Sequence, residues 1–169
     1  MAEYTLVADR TGELRLSAED KEARYREVGA QIEAVLEGEP DLLAGMATVA
    51  CLLHNAFPYF YWTGVYRRVA ADELLVGPYQ GTLGCLRIRF DRGVCGACAR
   101  ERRTLVVPDV SAFPGHIACD AASASEIVVP VLDVDSTLPD AFDETDRVHL
   151  ERIVGLLRGR EARPVVAAG

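Results

Sequence analysis

The stretch YFYWTGVYRRVAADELLVGPYQ, residues 59–80, predicts two β-strands joined by a short turn. Its first half alternates and is rich in aromatic residues, which are typical of strands. The turn at Ala70–Asp72 is short, and strands joined by so few residues pair antiparallel. This stretch therefore favours an antiparallel sheet.

Further strands follow along the chain, and turns rather than helices join most of them. CLRIRF at 85–90 alternates strictly, and TLVVPDV at 104–110 and EIVVPVLDVDS at 126–136 are rich in valine and isoleucine. Helical patterns lie on both sides of the strands, at 17–40, 41–57 and 142–160. Helices that flank a turn-linked sheet predict an α+β fold. We expect a leader at residues 1–16 and a single domain at 17–169.

The composition indicates an ordinary globular domain, because 50% of the 169 residues are hydrophobic and 26% are charged. A chain of this size buries enough surface to fold without a disulfide or a metal. The net charge of −8 and the lack of a Lys/Arg run argue against nucleic acid and anionic membranes as partners. The first residues, MAEYTLVADR, lack the apolar core of a signal peptide. We therefore expect a cytoplasmic protein whose cysteines are catalytic, metal-bound or buried.

The pattern GVCGACARER at 93–102 leaves three alternatives for Cys95 and Cys98. A structural zinc site needs four ligands, and Cys85, Cys119 or His116 would have to complete the set. A thioredoxin-type redox pair fits the local strand and helix pattern, but the two helices at 17–55 do not fit a thioredoxin fold. In the third alternative the cysteines are small core residues.

The surroundings of the individual cysteines differ. Cys51 lies on the apolar second helix and Cys98 lies inside the third, so we expect both to be buried. Cys95 lies where a glycine-rich turn meets a helix start, and the N–H groups there favour a thiolate. Cys119 lies in the loop SAFPGHIACDAASAS at 111–125, which predicts a more exposed thiol.

Several segments together resemble the free methionine-(R)-sulfoxide reductases, a family built on a GAF domain. These segments are YWTGVY at 61–66, VGPYQG at 76–81, CLRIRFDRGVCG at 85–96, DVSAFPGHIACDAASASEIVVP at 109–130 and LDVDS at 132–136. Cys85, Cys95 and Cys119 also stand in the order of the family. The resemblance implies a six-stranded antiparallel sheet flanked by helices and a redox cycle that uses thiols alone.

The resemblance also implies roles for individual side chains. Cys119 is similar to the attacking cysteine, Cys85 resembles the resolving cysteine, and Cys95 is a third thiol able to join the disulfide exchange. Cys98 has no usual counterpart. The family places an aromatic wall against the methyl end of the substrate and carboxylates against its ammonium group. The residues at these positions are Trp62 and Tyr66 for the wall, and Glu126, Asp133 and Asp135 for the carboxylates.

The implied reaction needs no metal and no bound organic cofactor. Cys119 attacks the sulfur of free methionine (R)-sulfoxide, an acid protonates the oxygen, and the resulting sulfenic acid condenses with Cys85 or Cys95. Glu126 or Asp135 is the favoured acid, because clustered carboxylates raise one another's pKa. A thioredoxin-like dithiol protein is the implied reductant, and a homodimer is an assembly that we consider.

The sequence departs from the family between EIVVP and LDVDS. The family has a turn and a strand start there, whereas here Val131 is followed directly by Leu132. Shortening a core hairpin this far is expected to break the pairing and register of its strands and to displace Asp133 and Asp135. We therefore favour the interpretation that a segment was left out of the sequence. A true deletion would put the assignments of Asp133 and Asp135 in doubt.

The alternative function is a non-catalytic GAF-type domain that binds a small ligand and signals, because one fold hosts many functions. Such a domain needs neither three thiols nor a loop thiol that faces an acidic cluster. A structural metal-binding module is a third hypothesis. In the catalytic hypothesis His116 orients its loop or tunes the thiol, and otherwise it makes a structural hydrogen bond.

Overall fold

The computed structural model describes residues 6–8, 14–117, 122–129 and 132–161. The helices are α1 (Ala18–Val35), α2 (Leu42–Ala56), α3 (Gly93–Glu101) and α4 (Glu144–Gly155). The strands are β1 (Leu6–Ala8), β2 (Leu14–Leu16), β3 (Trp62–Ala70), β4 (Glu73–Gln80), β5 (Arg87–Arg89), β6 (Leu105–Val107), β7 (Ser125–Val129) and β8 (Leu132–Ser136). A short 3-10 helix, Val110–Ala112, follows β6.

The strands β3 to β8 form one antiparallel sheet in the order β5-β4-β3-β8-β7-β6. The predicted hairpin at 59–80 is its β3–β4 pair, in which Ala70 lies opposite Glu73 across the turn. Ser17 accepts a hydrogen bond from the backbone N–H of Asp20 and caps α1, and Asp41 caps α2 in the same way. The predicted α+β fold, with an antiparallel sheet flanked by helices, is confirmed.

The two faces of the sheet are buried against different partners. The helices α1, α2 and α4 cover one face, where Val65, Ile127 and Leu132 are fully buried. The other face packs against α3, and Trp62 and Val128 belong to this second cluster. Because side chains alternate along a strand, each central strand contributes to both faces.

The hairpin of β7 and β8 corrects the expectation drawn from its short length. Glu126 lies opposite Asp135, and the pairing continues in register to Val129 opposite Leu132. Residues removed from the tip of a hairpin leave the pairs nearer its base unchanged when both strands shorten equally. The direct join of Val131 to Leu132 therefore does not break the register, and that expectation is wrong.

The N-terminal strands β1 and β2 pair with each other in a separate two-stranded sheet. Leu16 of β2 is buried in the helical core, and the Arg15 guanidinium donates to the backbone carbonyl of Asp140 at 2.6 Å. The division into a leader at 1–16 and a domain at 17–169 stays a prediction.

Across the described residues, every helix is too short or too polar to traverse a lipid bilayer.

Candidate functional site

A pocket opens on the face of the sheet that α3 covers. Aromatic side chains of β3 and carboxylates of β7 and β8 line it together. The residues of the prediction that line it are Trp62, Tyr66, Cys95, His116, Glu126, Asp133 and Asp135. The fold thus brings together side chains that are up to 73 residues apart, from position 62 to position 135.

Trp62 forms the aromatic wall together with its neighbours. Its ring stacks on Tyr79 at 5.4 Å between centroids and on Tyr66 at 5.9 Å. The indole N–H donates to the backbone carbonyl of Thr82 at 3.1 Å, which satisfies the polar group of a buried tryptophan. A Cβ atom on Gly84 would lie 2.9 Å from ring carbon Cζ2, so this glycine allows the 81–86 loop to approach the ring.

Tyr66 connects the aromatic wall to Cys85. Its hydroxyl donates to the backbone carbonyl of Cys85 at 2.9 Å. Burial, followed by the negative charge of Asp133, raises the pKa of Tyr66, so the phenol stays protonated and keeps this hydrogen bond. Cys85 itself is half-buried and disulfide-bonded.

The carboxylates reach the pocket because of strand register. Glu126 of β7 lies directly opposite Asp135 of β8. Asp133 comes two residues before Asp135 in β8 and lies on the same face of the sheet. Ser123 donates to Asp135 Oδ1 at 2.5 Å and fixes that side chain. Ser123 was not among the predicted site residues, and its only signal in the sequence is its place three residues before Glu126.

Glu126 and Asp133 carry shifted pKa values. Burial, with Asp133 and Asp135 as negative neighbours, raises the pKa of Glu126 well above its ordinary value. Burial also raises the pKa of Asp133 to about 6. Within the described residues, no lysine or arginine forms a salt bridge with Glu126 or Asp133. The pocket therefore attracts either protons or an external cation.

Cys95 lies within this acidic cluster. Its Sγ lies 3.1 Å from Asp133 Oδ2 and 3.7 Å from Glu126 Oε1. Burial, followed by the charges of Asp133 and Glu126, raises the pKa of Cys95 well above its ordinary value. The expected thiolate at this helix start is therefore wrong, because burial and two carboxylates outweigh the helix N–H groups.

The remaining cysteines divide between core and surface. Cys98 is buried as expected, and its thiol lies 3.1 Å from the backbone carbonyl of Arg103. Cys51 is exposed, so the prediction that it is buried is wrong. It lies on a stripe of α2 with exposed Leu43 and Ala47, four residues apart, and this stripe faces away from the core. Cys119 lies outside the described residues.

The pocket has the chemistry to bind a small molecule with two unlike ends. The stacked rings of Trp62 and Tyr66 suit an apolar group, and the carboxylates suit a cationic one. A protonated Glu126 can also donate a proton to a bound oxygen.

Several known proteins are similar to this chain in sequence and fold over most of its length. No family model matches the sequence. GAF domain-containing protein A of Dictyostelium discoideum is 44% identical over 154 residues, which cover 86% of this chain and 97% of that protein. Free methionine-R-sulfoxide reductase of Escherichia coli is 38% identical over 142 residues, which cover 79% of this chain and 86% of that protein. A solved free methionine-R-sulfoxide reductase of Neisseria meningitidis, in complex with its substrate, is 47% identical with a TM-score of 0.78, covering 83% of this chain and 90% of that one.

Proposed function

The chain belongs to the family of free methionine-R-sulfoxide reductases and reduces free methionine (R)-sulfoxide, and we propose that it does so by a thiol cycle in which Cys119 attacks the substrate. The observation that carries this proposal is the pocket that the Trp62 ring lines together with the carboxylates of β7 and β8. Each of the two ends of the substrate has a matching wall there.

Substrate orientation follows from these two walls. The S-methyl end packs against Trp62 and Tyr66, and the α-ammonium group pairs with Asp133 and Asp135. The ammonium supplies a positive charge for Asp133, which is buried and forms no salt bridge among the described residues. A ligand that carries a positive charge is therefore favoured beside Asp133.

The same carboxylates select the free amino acid. A methionine sulfoxide inside a polypeptide has an amide in place of the ammonium group and would leave Asp133 buried and unpaired. Leaving a charged group unpaired costs on the order of several kcal/mol, which corresponds to roughly a thousandfold in specificity.

The position of Cys119 beside the pocket is supported by chain connectivity. Ile117 and Ser123 both line the pocket, and Cys119 is two residues after Ile117. Consecutive Cα atoms are about 3.8 Å apart, so the Cα atoms of Cys119 and Ile117 are separated by less than about 8 Å.

The chemical step transfers the oxygen from the substrate sulfur to the sulfur of Cys119. The thiolate attacks the sulfoxide sulfur, and Glu126 gives its proton to the oxygen as the S–O bond of the substrate is lost. Methionine leaves, and Cys119 becomes a sulfenic acid. The raised pKa of Glu126 supports its role as the acid, because burial and the neighbouring carboxylates favour the protonated form of its carboxyl group.

The sulfenic acid condenses with the Cys85 thiol, which forms a disulfide and releases water. Cys85 is disulfide-bonded in the structure, which supports its role as the resolving thiol. Cys95 is an alternative resolving thiol and takes part in the exchange from the floor of the pocket.

A dithiol protein of the thioredoxin type then reduces the disulfide, and its own two thiols become oxidised. This requirement favours a reducing compartment, the cytosol, as the place of action. A homodimer stays a prediction, which light scattering of the purified protein tests.

The decisive experiment supplies free methionine (R)-sulfoxide and dithiothreitol and measures methionine. We expect turnover by the parent protein and none by Cys119→Ser, with Cys51→Ser as the matched control that keeps full activity. Full turnover by Cys119→Ser would contradict the assigned nucleophile, and no turnover by the parent would contradict the activity. Methionine sulfoxide in an N-acetylated form, which lacks the ammonium group, tests the selection by the carboxylates.

A further inference from the structure

Three donor atoms of different residues converge at the base of the pocket. Cys95 Sγ, a Glu126 carboxylate oxygen and an Asp133 carboxylate oxygen all lie within 4.8 Å of one another, and all three residues are buried. The sulfur lies 3.1 Å from Asp133 Oδ2 and 3.7 Å from Glu126 Oε1. Sulfur and oxygen ligands of a tetrahedral Zn²⁺ ion are roughly 3.5 Å apart, given the usual bond lengths. The existing distances therefore fit one ion with small side-chain adjustments.

One oxygen of this cluster has no donor. Asp133 is 6% exposed, and among the described residues no N–H or O–H group donates to its buried Oδ1. A buried carboxylate oxygen without a donor is an open coordination site for a cation.

We propose that Cys95, Glu126 and Asp133 bind one Zn²⁺ ion, which inhibits the enzyme by occupying the base of the substrate pocket. One thiolate and two carboxylates are ligands of the kinds that Zn²⁺ accepts in proteins. Three protein ligands leave a fourth position for water, which the open side of the pocket admits. The ion is an inhibitor and takes no part in the reduction.

Binding exchanges protons for the metal without any redox change. The Cys95 thiol gives up its proton to solvent as the Zn–S bond forms. The ion then occupies carboxylate oxygens that the substrate ammonium needs, and it holds the Cys95 sulfur away from disulfide exchange. The competition with substrate rests on the proposed function, whereas metal binding does not.

The binding test uses the form of the protein in which Cys85 is disulfide-bonded, titrated with ZnCl₂ by calorimetry in a buffer free of thiols and substrate. In this form Cys51, Cys95 and Cys98 are the free thiols among the described residues. We expect one Zn²⁺ per chain and release of protons, which titration in buffers of different ionisation enthalpy measures. Titration with Cd²⁺ alone should produce the ultraviolet charge-transfer band of a single thiolate ligand.

Matched variants identify the ligands. Loss of a residue that only supports a metal ligand can lower metal affinity by about 100-fold. Cys95→Ser removes a ligand itself, so it should lower the affinity for Zn²⁺ by more than that. Cys98→Ser, which alters the other buried thiol of the same helix, and Cys51→Ser, which alters the exposed one, should bind as the parent does. Circular dichroism confirms that each variant is folded. Glu126→Gln provides a second test that keeps all thiols, and it should also weaken binding at least tenfold.

Unchanged binding in Cys95→Ser, or loss of binding in Cys51→Ser or Cys98→Ser, would overturn the proposal. In the reduced enzyme, Zn²⁺ should raise the KM for methionine sulfoxide and leave kcat unchanged. Inhibition that lowers kcat at saturating substrate would contradict the competitive arrangement. If the parent lacks reductase activity, the calorimetric result still decides whether the metal binds, so the two proposals fail separately.

Discussion

Trp62 lies so close over Gly64 that a Cβ atom on residue 64 would fall 2.3 Å from ring carbon Cη2 of the tryptophan. Tyr79 would be 2.5 Å away on the neighbouring strand, so neither ring nor strand leaves room for a methyl group. The absence of a side chain at residue 64 therefore determines where the aromatic wall of the pocket lies.

Gly64→Ala should displace the Trp62 ring, lower the free energy of unfolding by about 1–3 kcal/mol and raise the KM for methionine sulfoxide. Urea denaturation and steady-state kinetics measure the two effects. Gly29→Ala is the matched control, because no heavy atom lies within 4 Å of the added Cβ inside α1. It should be neutral or stabilise by up to about 1 kcal/mol with an unchanged KM. Equal effects of the two substitutions would refute the steric argument.

Glu126→Gln should lower kcat by about 10²–10⁴-fold, because an amide cannot give a proton to the sulfoxide oxygen. Burial and the neighbouring carboxylates raise the pKa of Glu126, so its protonated form is present below that raised value and is lost as pH rises through it. The parent should therefore lose activity on the alkaline side through this group, and Glu126→Gln should lack that decline. Glu73→Gln, which alters an exposed acid paired with Arg87, should keep the parental pH profile. An identical alkaline decline in both variants would exclude Glu126 as the acid.

Asp133→Asn should stabilise the substrate-free protein while weakening substrate binding. Burial raises the pKa of Asp133 to about 6, above the unfolded value of about 4. The folded state therefore binds this proton more tightly, and the stability of the parent falls as pH rises from about 4 to about 6. The gain from Asp133→Asn should reach on the order of 1–3 kcal/mol near neutral pH and vanish below about pH 4. Urea denaturation across this pH range measures it.

Asp109→Asn is the control with the opposite sign. The Ser111 hydroxyl and backbone N–H lower the pKa of this exposed cap, so its carboxylate stabilises the folded state above its unfolded pKa. Its substitution should destabilise near neutral pH, and a gain there would contradict the electrostatic account.

Lys21→Met should destabilise the protein by about 3–5 kcal/mol, because it leaves a buried carboxylate without its cation. Lys21 donates to Asp146 at 2.6 Å, and both side chains are almost fully buried between α1 and α4. The residual folded enzyme should keep its KM, since neither residue lines the pocket. Arg152→Met, which removes an exposed partner 3.7 Å from Glu33, should cost less than about 1 kcal/mol. A changed KM in Lys21→Met, or equal losses in the two variants, would contradict the assignment.

Local patterns predicted much of this fold, because caps and alternation act over a few residues. Ser17 and Asp41 start the first two helices as their side-chain chemistry predicts. The alternation of β8 placed Asp133 and Asp135 on one face of the sheet. The resemblance of longer segments supplied the site residues, which no local pattern could bring together from separate strands.

The errors arose where distant residues override a local preference. Cys95 lies in the first turn of a helix, yet burial, together with Asp133 and Glu126 from β8 and β7, raises the pKa of its thiol. Cys51 belongs to an apolar helix, but tertiary packing decides which stripe of an apolar helix remains exposed. The shortened hairpin kept its register because the pairs at its base do not depend on how far its tip extends.

Along β8, consecutive side chains lie on opposite faces of the sheet and have different roles. Leu132, Val134 and Ser136 are buried toward the helical core, whereas Asp133 and Asp135 line the pocket. Residues that stabilise the core and residues that line the pocket therefore alternate along a single strand. A one-residue insertion in β8 would exchange the two sets and destroy both properties at once, whereas a change of hairpin length at the tip leaves both intact.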